Sequence, residues 1–416
     1  MPAVALSRVG ARVVESGPDG VGLAEDTWAR LERLPDPRSP QGRVYRLACL
    51  VAVVLCALTA AGHDRLSAVG QWGKRASQAE PARLGCPYDP LTGRYRCPDE
   101  KTIRTVLDRL APKALSRALL GKGRPTPRRA RTGGRPSASV RDYRARRDKA
   151  AAKAVARARL AAVAVDGKTA RRARRADGSR VHLLGVAGHD GRFLDQIEVD
   201  AKHNETTHFP ELLAGIDLEG QAVTFDALHT VRANLDWLVN SKNAHYIAIV
   251  KKNQPLAYAR LTALPWRHVP TGTTSRERGH GRTETRTLKT AHVADLDLPH
   301  AHQAVKITRW RQDSRTQKVS RETVYAVTSL TAAQASPDDL ARLVREHWTI
   351  EANHHIRDIT FTEDHATSRT GHDPINLATL RNAVINAIHA AGYLHIPEGR
   401  RDHTRPTEAL HLHGLL

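Results

Sequence analysis

Residues 161–168 read AAVAVDGK and residues 222–229 read AVTFDALH. Each opens as a short apolar run and closes on an aspartate, Asp166 in the first and Asp226 in the second. Such a run, bounded by polar residues, is the pattern of a strand buried on both faces, as in the middle of a sheet covered by helices. An acidic side chain at the end of a buried strand costs desolvation free energy unless a cation or hydrogen-bond donors offset it. Taken singly, either aspartate reads most simply as the cap of the turn that follows it.

Outward from these two runs the texture remains α/β. Strands are expected at 161–166, 181–187, 194–199, 222–226 and 245–250, with helices at 205–215 and 231–240. Three strands, a helix, a strand, a helix and a strand describe a mixed sheet with helices packed on it. Residues 255–335 carry further strand-like stretches, at 283–288, 305–310 and 323–327, and read as a β-rich insertion.

A third stretch, 336–358, reads SPDDLARLVREHWTIEANHHIRD. Ser336 is a helix cap, Pro337 suits the first helical position, and Asp338 and Asp339 complement the helix dipole. At 100° per residue Leu340, Val344 and Glu351 fall within about 20° of one line. His347, His355 and Asp358 follow that stripe, so an apolar face turns polar and acidic midway. Trp348 and Ile350 argue that this part of the helix stays against the protein. If the face continues onto the sheet, Glu351 joins Asp166 and Asp226. Three carboxylates without cysteine ligands suit a hard divalent cation, Mg²⁺ or Mn²⁺. Two such ions can serve both the attacking and the leaving oxygen of a phosphodiester displacement.

The chain has 416 residues, with 65 Lys and Arg against 43 Asp and Glu, a formal charge of +22. That balance points to a polyanion, most simply nucleic acid. The charge is concentrated: residues 121–180 hold 20 Lys and Arg against four acids. Aromatics at 4% are too sparse for a base-stacking platform. The N-terminal part reads as a mobile tail (1–25), a small all-helical domain (26–120) and a basic linker (121–160). The catalytic region is expected over 161–396, followed by a tail (397–416). The apolar run 47–61 is shorter than the roughly 20 residues a membrane span needs and reads as a buried helix. Four cysteines, and no secretory pattern in 1–25, suit a reducing cytoplasm. The 22 histidines include no H-E-x-x-H, and His203 and His208 lack the spacing of a zinc site.

Read in order, PDPRSPQGRVYRL (35–47), VDGKTARR (165–172), VDAKHNET (199–206), TFDALHT (224–230) and YIAIVKKNQP (246–255) resemble bacterial insertion-sequence DDE transposases of the ISAs type. RGHGRTETR (278–286), REHWTIEANHHIRDITFTEDHA (345–366) and NLATLRN (376–382) continue the series. That group includes the H-repeat-associated proteins. The resemblance implies an RNase H-like catalytic fold in which Asp166, Asp226 and Glu351 bind the metals, Mg²⁺ or Mn²⁺, with two ions expected. It implies metal-dependent cleavage and strand transfer at the terminal inverted repeats of the element, into target DNA, by a dimer or higher oligomer on DNA. By resemblance and charge, Lys168, Arg171 and Arg172 would hold phosphate near the metals. Lys251, Lys252, Asn253 and Gln254 would position a DNA end. His347, Asp358 and Glu363 would support the acids from behind. The sequence departs from the family pattern at Ala352, where Asn follows the glutamate, and at Lys252, where Gly is usual. The alternative is a decayed or domesticated copy that only binds DNA; metal-dependent nicking separates the two. The expected setting is the cytoplasm, at the nucleoid, with no membrane partner.

Overall fold

The computed structural model describes residues 27–121, 160–199, 205–279, 281–294, 296–365 and 370–415. The tail expected at 1–25 and nearly all of the basic linker lie outside the described residues.

Six helices come first: α1 (Thr27–Glu32), α2 (Leu47–Thr59), α3 (Leu66–Arg75), α4 (Ala79–Arg83), α5 (Glu100–Arg109) and α6 (Pro112–Leu119). A two-stranded hairpin, β1 (Tyr88–Asp89) and β2 (Arg94–Tyr95), separates α4 from α5. All 13 residues of α2 are buried, as expected of a helix that is apolar on every side. It therefore needs neighbours all round, and the first helices supply only some of them.

The rest of the chain is built on one nine-stranded sheet. Strands β3 (Ala162–Arg174), β4 (Arg180–Gly188) and β5 (Phe193–Val199) run antiparallel in sequence. Helix α7 (Glu205–Leu213) leads to β6 (Ala222–Phe225), which lies parallel to β3 on its other side. Helix α8 (Arg232–Lys242) leads to β7 (His245–Val250), parallel to β6. The order β5-β4-β3-β6-β7 is an RNase H-like sheet, and all five strands form at the apolar runs, although β3 continues eight residues past Asp166 in its pairing with β4, so that this acid lies within the strand and not at its end.

The 255–335 segment begins with helix α9 (Pro255–Ala263) and contributes β8 (Thr273–Gly279), β9 (Arg282–His292), β10 (Gln303–Asp313) and β11 (Val319–Thr328). These do not form a separate sheet. β11 pairs antiparallel with β7, and β10, β9 and β8 extend the same sheet outward.

Alternation along β3 and β6 sorts their side chains between two faces. Val163, Val165, Val223 and Phe225 join Phe209, Leu212, Leu235 and Leu238 of α7 and α8 in one core. Ala162, Ala164, Ala222 and Thr224 occupy the other face. There α10 (Pro337–Glu346) and α11 (Trp348–Ile359) pack. Alanine at these positions lets the helices approach closely: Leu340 and Leu343 pack with Ala162 and Ala222, and Ile350 with the cluster holding Ala164. Burying each of these leucines contributes roughly 1.5–3 kcal/mol.

The capping box at Ser336 forms as the sequence implies. Asp339 donates its N–H to Ser336 Oγ at 3.3 Å, and Ser336 donates its N–H to Asp339 Oδ2 at 3.0 Å. The expected single helix is interrupted by one residue, His347, whose backbone stays helical. Trp348 is 64% exposed, against expectation. Ile350 keeps this turn on the sheet.

Three C-terminal helices follow: α12 (Asp373–Ala390), α13 (Ile396–Asp402) and α14 (Pro406–Leu412). The stretch 397–416, expected as a tail, is folded as far as it is described. Ala409 and Leu410 are fully buried, and His413 contacts Thr59 of α2 at 2.7 Å. The reason is the demand set by α2, whose remaining faces α12 and α14 cover. Helix α12 also ties the N-terminal helices to the sheet. Asn376 donates to the carbonyls of Leu107 and Leu110 at the end of α5, at 2.7 and 2.8 Å. Asn386 accepts from Phe193 N–H and donates to Phe193 C=O, covering the edge strand β5 as a neighbouring strand would.

Candidate active site

The register of β3 and β6 decides the site. Their last paired residues are Val165 and Phe225, so Asp166 and Asp226 follow side by side on strands about 4.8 Å apart. Both continue the face occupied by Ala164 and Thr224, the one covered by α10 and α11. Helix α11 then places Glu351 one residue beyond Ile350, at its exposed margin. All three acids named from the sequence are thus brought to one sheet face, where the β3–β6 ladder ends.

Histidines stand between them. His347 Nδ1 lies 3.0 Å from Thr224 Oγ1, which also contacts His189 Nε2 at 3.0 Å. Burial pushes the His347 imidazole down to about 4, although Asp166 and Asp226 both favour its charged form. It is neutral near pH 7, so it separates the aspartates without cancelling their charge. His354 Nδ1 lies 3.4 Å from Asp166 Oδ2, and burial likewise pushes this imidazole down against the pull of Asp166. Asp226 accepts the Leu228 N–H at 2.9 Å and so caps the short 3₁₀ turn Ala227–His229. For Glu351, partial burial and then the negative charge of Asp166 push the carboxyl up, opposed by Arg309.

These carboxylates therefore gather negative charge on one sheet face, and burial works against the charged form of both imidazoles beside them. Among the described residues, no three His, Cys, Asp or Glu side chains close into a ready cation cage. The donor set still fits a hard cation: three carboxylate side chains on one sheet face, with no thiolate or free amine among them.

Glu351 also marks the mouth of a groove of about 770 Å³ between α10–α11 and strands β8–β11. Six arginines and three glutamates line it. Next to it Glu284, nearly buried on β9, gathers Arg286, Arg309 and Arg311. Burial pushes the Glu284 carboxyl up, but the Arg311 hydrogen bond and the other two guanidiniums outweigh it and hold it low. Three guanidiniums around one carboxylate leave a surplus of positive charge on the groove wall.

The remaining residues expected at the site are placed unevenly. Lys168 is buried and paired with Asp358 at 2.5 Å and Asp364 at 3.8 Å, so it ties β3 to α11. Arg171 is 80% exposed and 3.2 Å from Asp364; Arg172 is exposed. Lys251 and Lys252 are exposed at the end of β7. Asn253 and Gln254 donate to the carbonyls of Ala227 and Thr230, at 2.6 and 2.7 Å, and so fix the turn after Asp226. Glu363 is buried between Arg357 and Arg381. His355 is exposed, and the imidazole at Asp166 belongs to His354, one position earlier. Counted at 100° per residue, the buried face marked by Leu343, Ile350 and Arg357 lies to the His354 side of the Leu340–Val344–Glu351 line, which leaves His355 outside it. Sequence reasoning also missed His182, Glu205 and His229, which meet on the opposite sheet face; the HNET stretch and the histidine after TFDAL were their only signals.

An RNase H-like sheet with an acid within β3, a second just past the adjacent parallel β6, and a third on the helix across them, defines the class of protein. Residues 158–387 match the family described as Transposase DDE domain, and residues 28–121 match the DDE_Tnp_1-associated family. The chain belongs to the DDE-domain transposase family. It is 26% identical over 246 residues to "Putative transposase YncI" of Escherichia coli O157:H7, covering 54% of this chain and 61% of that protein. It is 26% identical over 243 residues to "H repeat-associated putative transposase YhhI" of E. coli K12, covering 54% and 63%. An "Uncharacterized protein in dhlA 3'region" of Xanthobacter autotrophicus is 27% identical over 268 residues, covering 62% and 77%. The match thus spans about three-fifths of the two E. coli proteins. Among solved structures, a piggyBac transposase synaptic complex with hairpin DNA aligns with a TM-score of 0.37 at 11% identity, over 87% of this chain and 80% of that one. No helix among the described residues is long and apolar enough to cross a membrane.

Proposed function

We propose that this chain cuts DNA at the ends of its insertion sequence and joins those ends to target DNA, using divalent metal ions held by Asp166, Asp226 and Glu351. The observation that carries this is the register-matched aspartate pair facing a helix whose glutamate opens onto an arginine-lined groove. A divalent cation, Mg²⁺ or Mn²⁺, would supply charge stabilisation for in-line displacement at phosphorus. The protein's own groups do the rest. His347 and Thr224 hold the wall between the aspartates, and His354 steadies Asp166. Asn253 and Gln254 fix the turn that Asp226 caps. Arg309 and Arg311 would hold backbone phosphates beside Glu351, with Lys251, Lys252, Arg171 and Arg172 at the outer rim. The helices of 26–120 and the basic linker would add sequence-independent grip. Bringing two ends together calls for at least a dimer on DNA, and the substrate would place the protein at the nucleoid.

The test is a plasmid carrying the DNA that flanks the coding sequence, incubated with protein and Mg²⁺ or Mn²⁺. Cut ends and joined products are expected; DNA binding without nicking in either metal would overturn the reading. The groove makes its own prediction. Arg309→Ala with Arg311→Ala should weaken DNA binding at every sequence tested. It should also flatten the dependence of log K on log salt by about 0.9 for each phosphate no longer neutralised. Fluorescence anisotropy across a salt series measures both.

A further inference from the structure

We infer that Glu205 is a positioning residue for Asp166 and Asp226, acting from the opposite face of the sheet with His182 and His229. This rests on the active-site reading above. Gly167 follows Asp166 on β3 and so faces the other way. On that side the first residue of α7, Glu205, meets two imidazoles from two other elements. Its Oε1 lies 2.7 Å from His182 Nε2 on β4, and its Oε2 lies 3.3 Å from His229 Nε2 in the turn after Asp226. His182 Nδ1 is 2.7 Å from Thr169 Oγ1, which returns the cluster to β3. His229 is 1% exposed and packs 5.3 Å from the ring of Phe209.

The cluster presses on the backbone beside the first acid. A methyl group at position 167 would sit 2.7 Å from His182 Nε2 and 2.8 Å from Glu205 Oε2. Any larger residue there would force the cluster to shift. Burial pushes the Glu205 carboxyl up, but the two imidazoles outweigh that and bring it down to about 2. Glu205 is therefore a fixed negative charge that both histidines approach through nitrogen.

The elements tied together are the ones that carry the acids: β3 just past Asp166, and the 3₁₀ turn that Asp226 caps. Two carboxylates on neighbouring strands repel each other. The Glu205 brace opposes that repulsion from behind by fixing the turn against β3. Glu205 touches neither the acids nor the groove.

The experiment uses the full chain. Mn²⁺ affinity is read by electron paramagnetic resonance of the free ion, beside single-turnover plasmid cleavage, metal-free DNA binding and thermal unfolding. Glu205→Gln is expected to keep metal-free DNA binding within about twofold, to bind Mn²⁺ roughly tenfold more weakly, and to cleave more slowly with partial recovery at high Mn²⁺. A role in helix stability alone would not shift the Mn²⁺ dependence. Parental Mn²⁺ affinity in a folded Glu205→Gln protein would overturn the inference. If that variant does not fold, His182→Gln, on the more exposed arm of the brace, takes its place, and parental Mn²⁺ affinity there would overturn the inference equally. If the parent neither binds Mn²⁺ nor cleaves, the active-site reading itself has failed, and the inference falls with it.

Discussion

Asp166→Asn, Asp226→Asn and Glu351→Gln should each reduce DNA cleavage by about 10³-fold or more while leaving DNA binding near the parental level. Cation-mediated stabilisation of a phosphoryl transition state amounts to several kcal/mol, and each 1.36 kcal/mol is a factor of ten. The amides separate two roles of the same side chain. In Asp226→Asn the amide oxygen can still accept the Leu228 N–H, so the turn keeps its cap and only the charge is lost. Fold stability should not fall with activity. Burial and the charge of Asp166 push the Glu351 carboxyl up, so its ionised form is disfavoured in the cation-free protein. Glu351→Gln should therefore melt at or slightly above the parental temperature, a pattern expected where stability is given up for a charged site. Single-turnover cleavage with scanning calorimetry reads both quantities. A variant that loses activity and stability together would show that the residue is structural.

The second large effect is on the fold. Glu363 is 6% exposed, with Arg357 Nε at 2.6 Å and Arg381 Nη1 at 3.3 Å, and both arginines are buried. Removing the carboxylate leaves two buried guanidiniums without their counter-charge. Breaking such a pair costs roughly 3–5 kcal/mol, so Glu363→Gln should lower the thermal midpoint by roughly 3–6 °C. Burial alone would raise the Glu363 carboxyl, but Arg357 and then Arg381 bring it down to about 2. A depressed acid stabilises the fold above its unfolded value, near about 4.3, and loses that contribution as the pH falls through its folded one. The gap between parent and Glu363→Gln should be full above roughly pH 5, and close as the pH approaches about 2. Thermal unfolding across that range checks it; a gap independent of pH would assign the loss to packing.

The core of the fold was legible because its strands are buried on both faces. AAVAVD, AVTFD and HYIAIV carry almost unbroken apolar runs, and each leads directly into a charged residue. Strand β8, TTSRERG, was not legible: it is an exposed edge strand whose sequence is that of a loop. Nor does any local pattern say that β11 pairs with β7, since that choice is made by backbone hydrogen bonds between distant segments. The three acids could be read from strand ends and helical phase. The imidazole beside Asp166 could not, because the line through Leu340, Val344 and Glu351 is only the edge of the buried face, which Leu343, Ile350 and Arg357 centre on the His354 side. The expected phosphate grip at Lys168 fails for another reason: a lysine next to a strand-end acid looks free until Asp358 and Asp364, from 190 residues and more downstream, come to meet it.

The cover of α2 by α12 and α14 has a consequence during synthesis. Thr59 and His413 touch across 354 residues of chain. At about 5–20 residues per second, a ribosome takes roughly 20–70 s to deliver α14 after α2 has emerged. Throughout that interval a fully apolar helix has no partner for several of its faces, and the exposed surface invites aggregation. A message interrupted before α12 never supplies the cover at all. Its product would be cleared by proteases before it could compete for DNA, so nonsense mutations in this reading frame should behave as silent losses and not as dominant inhibitors of intact copies.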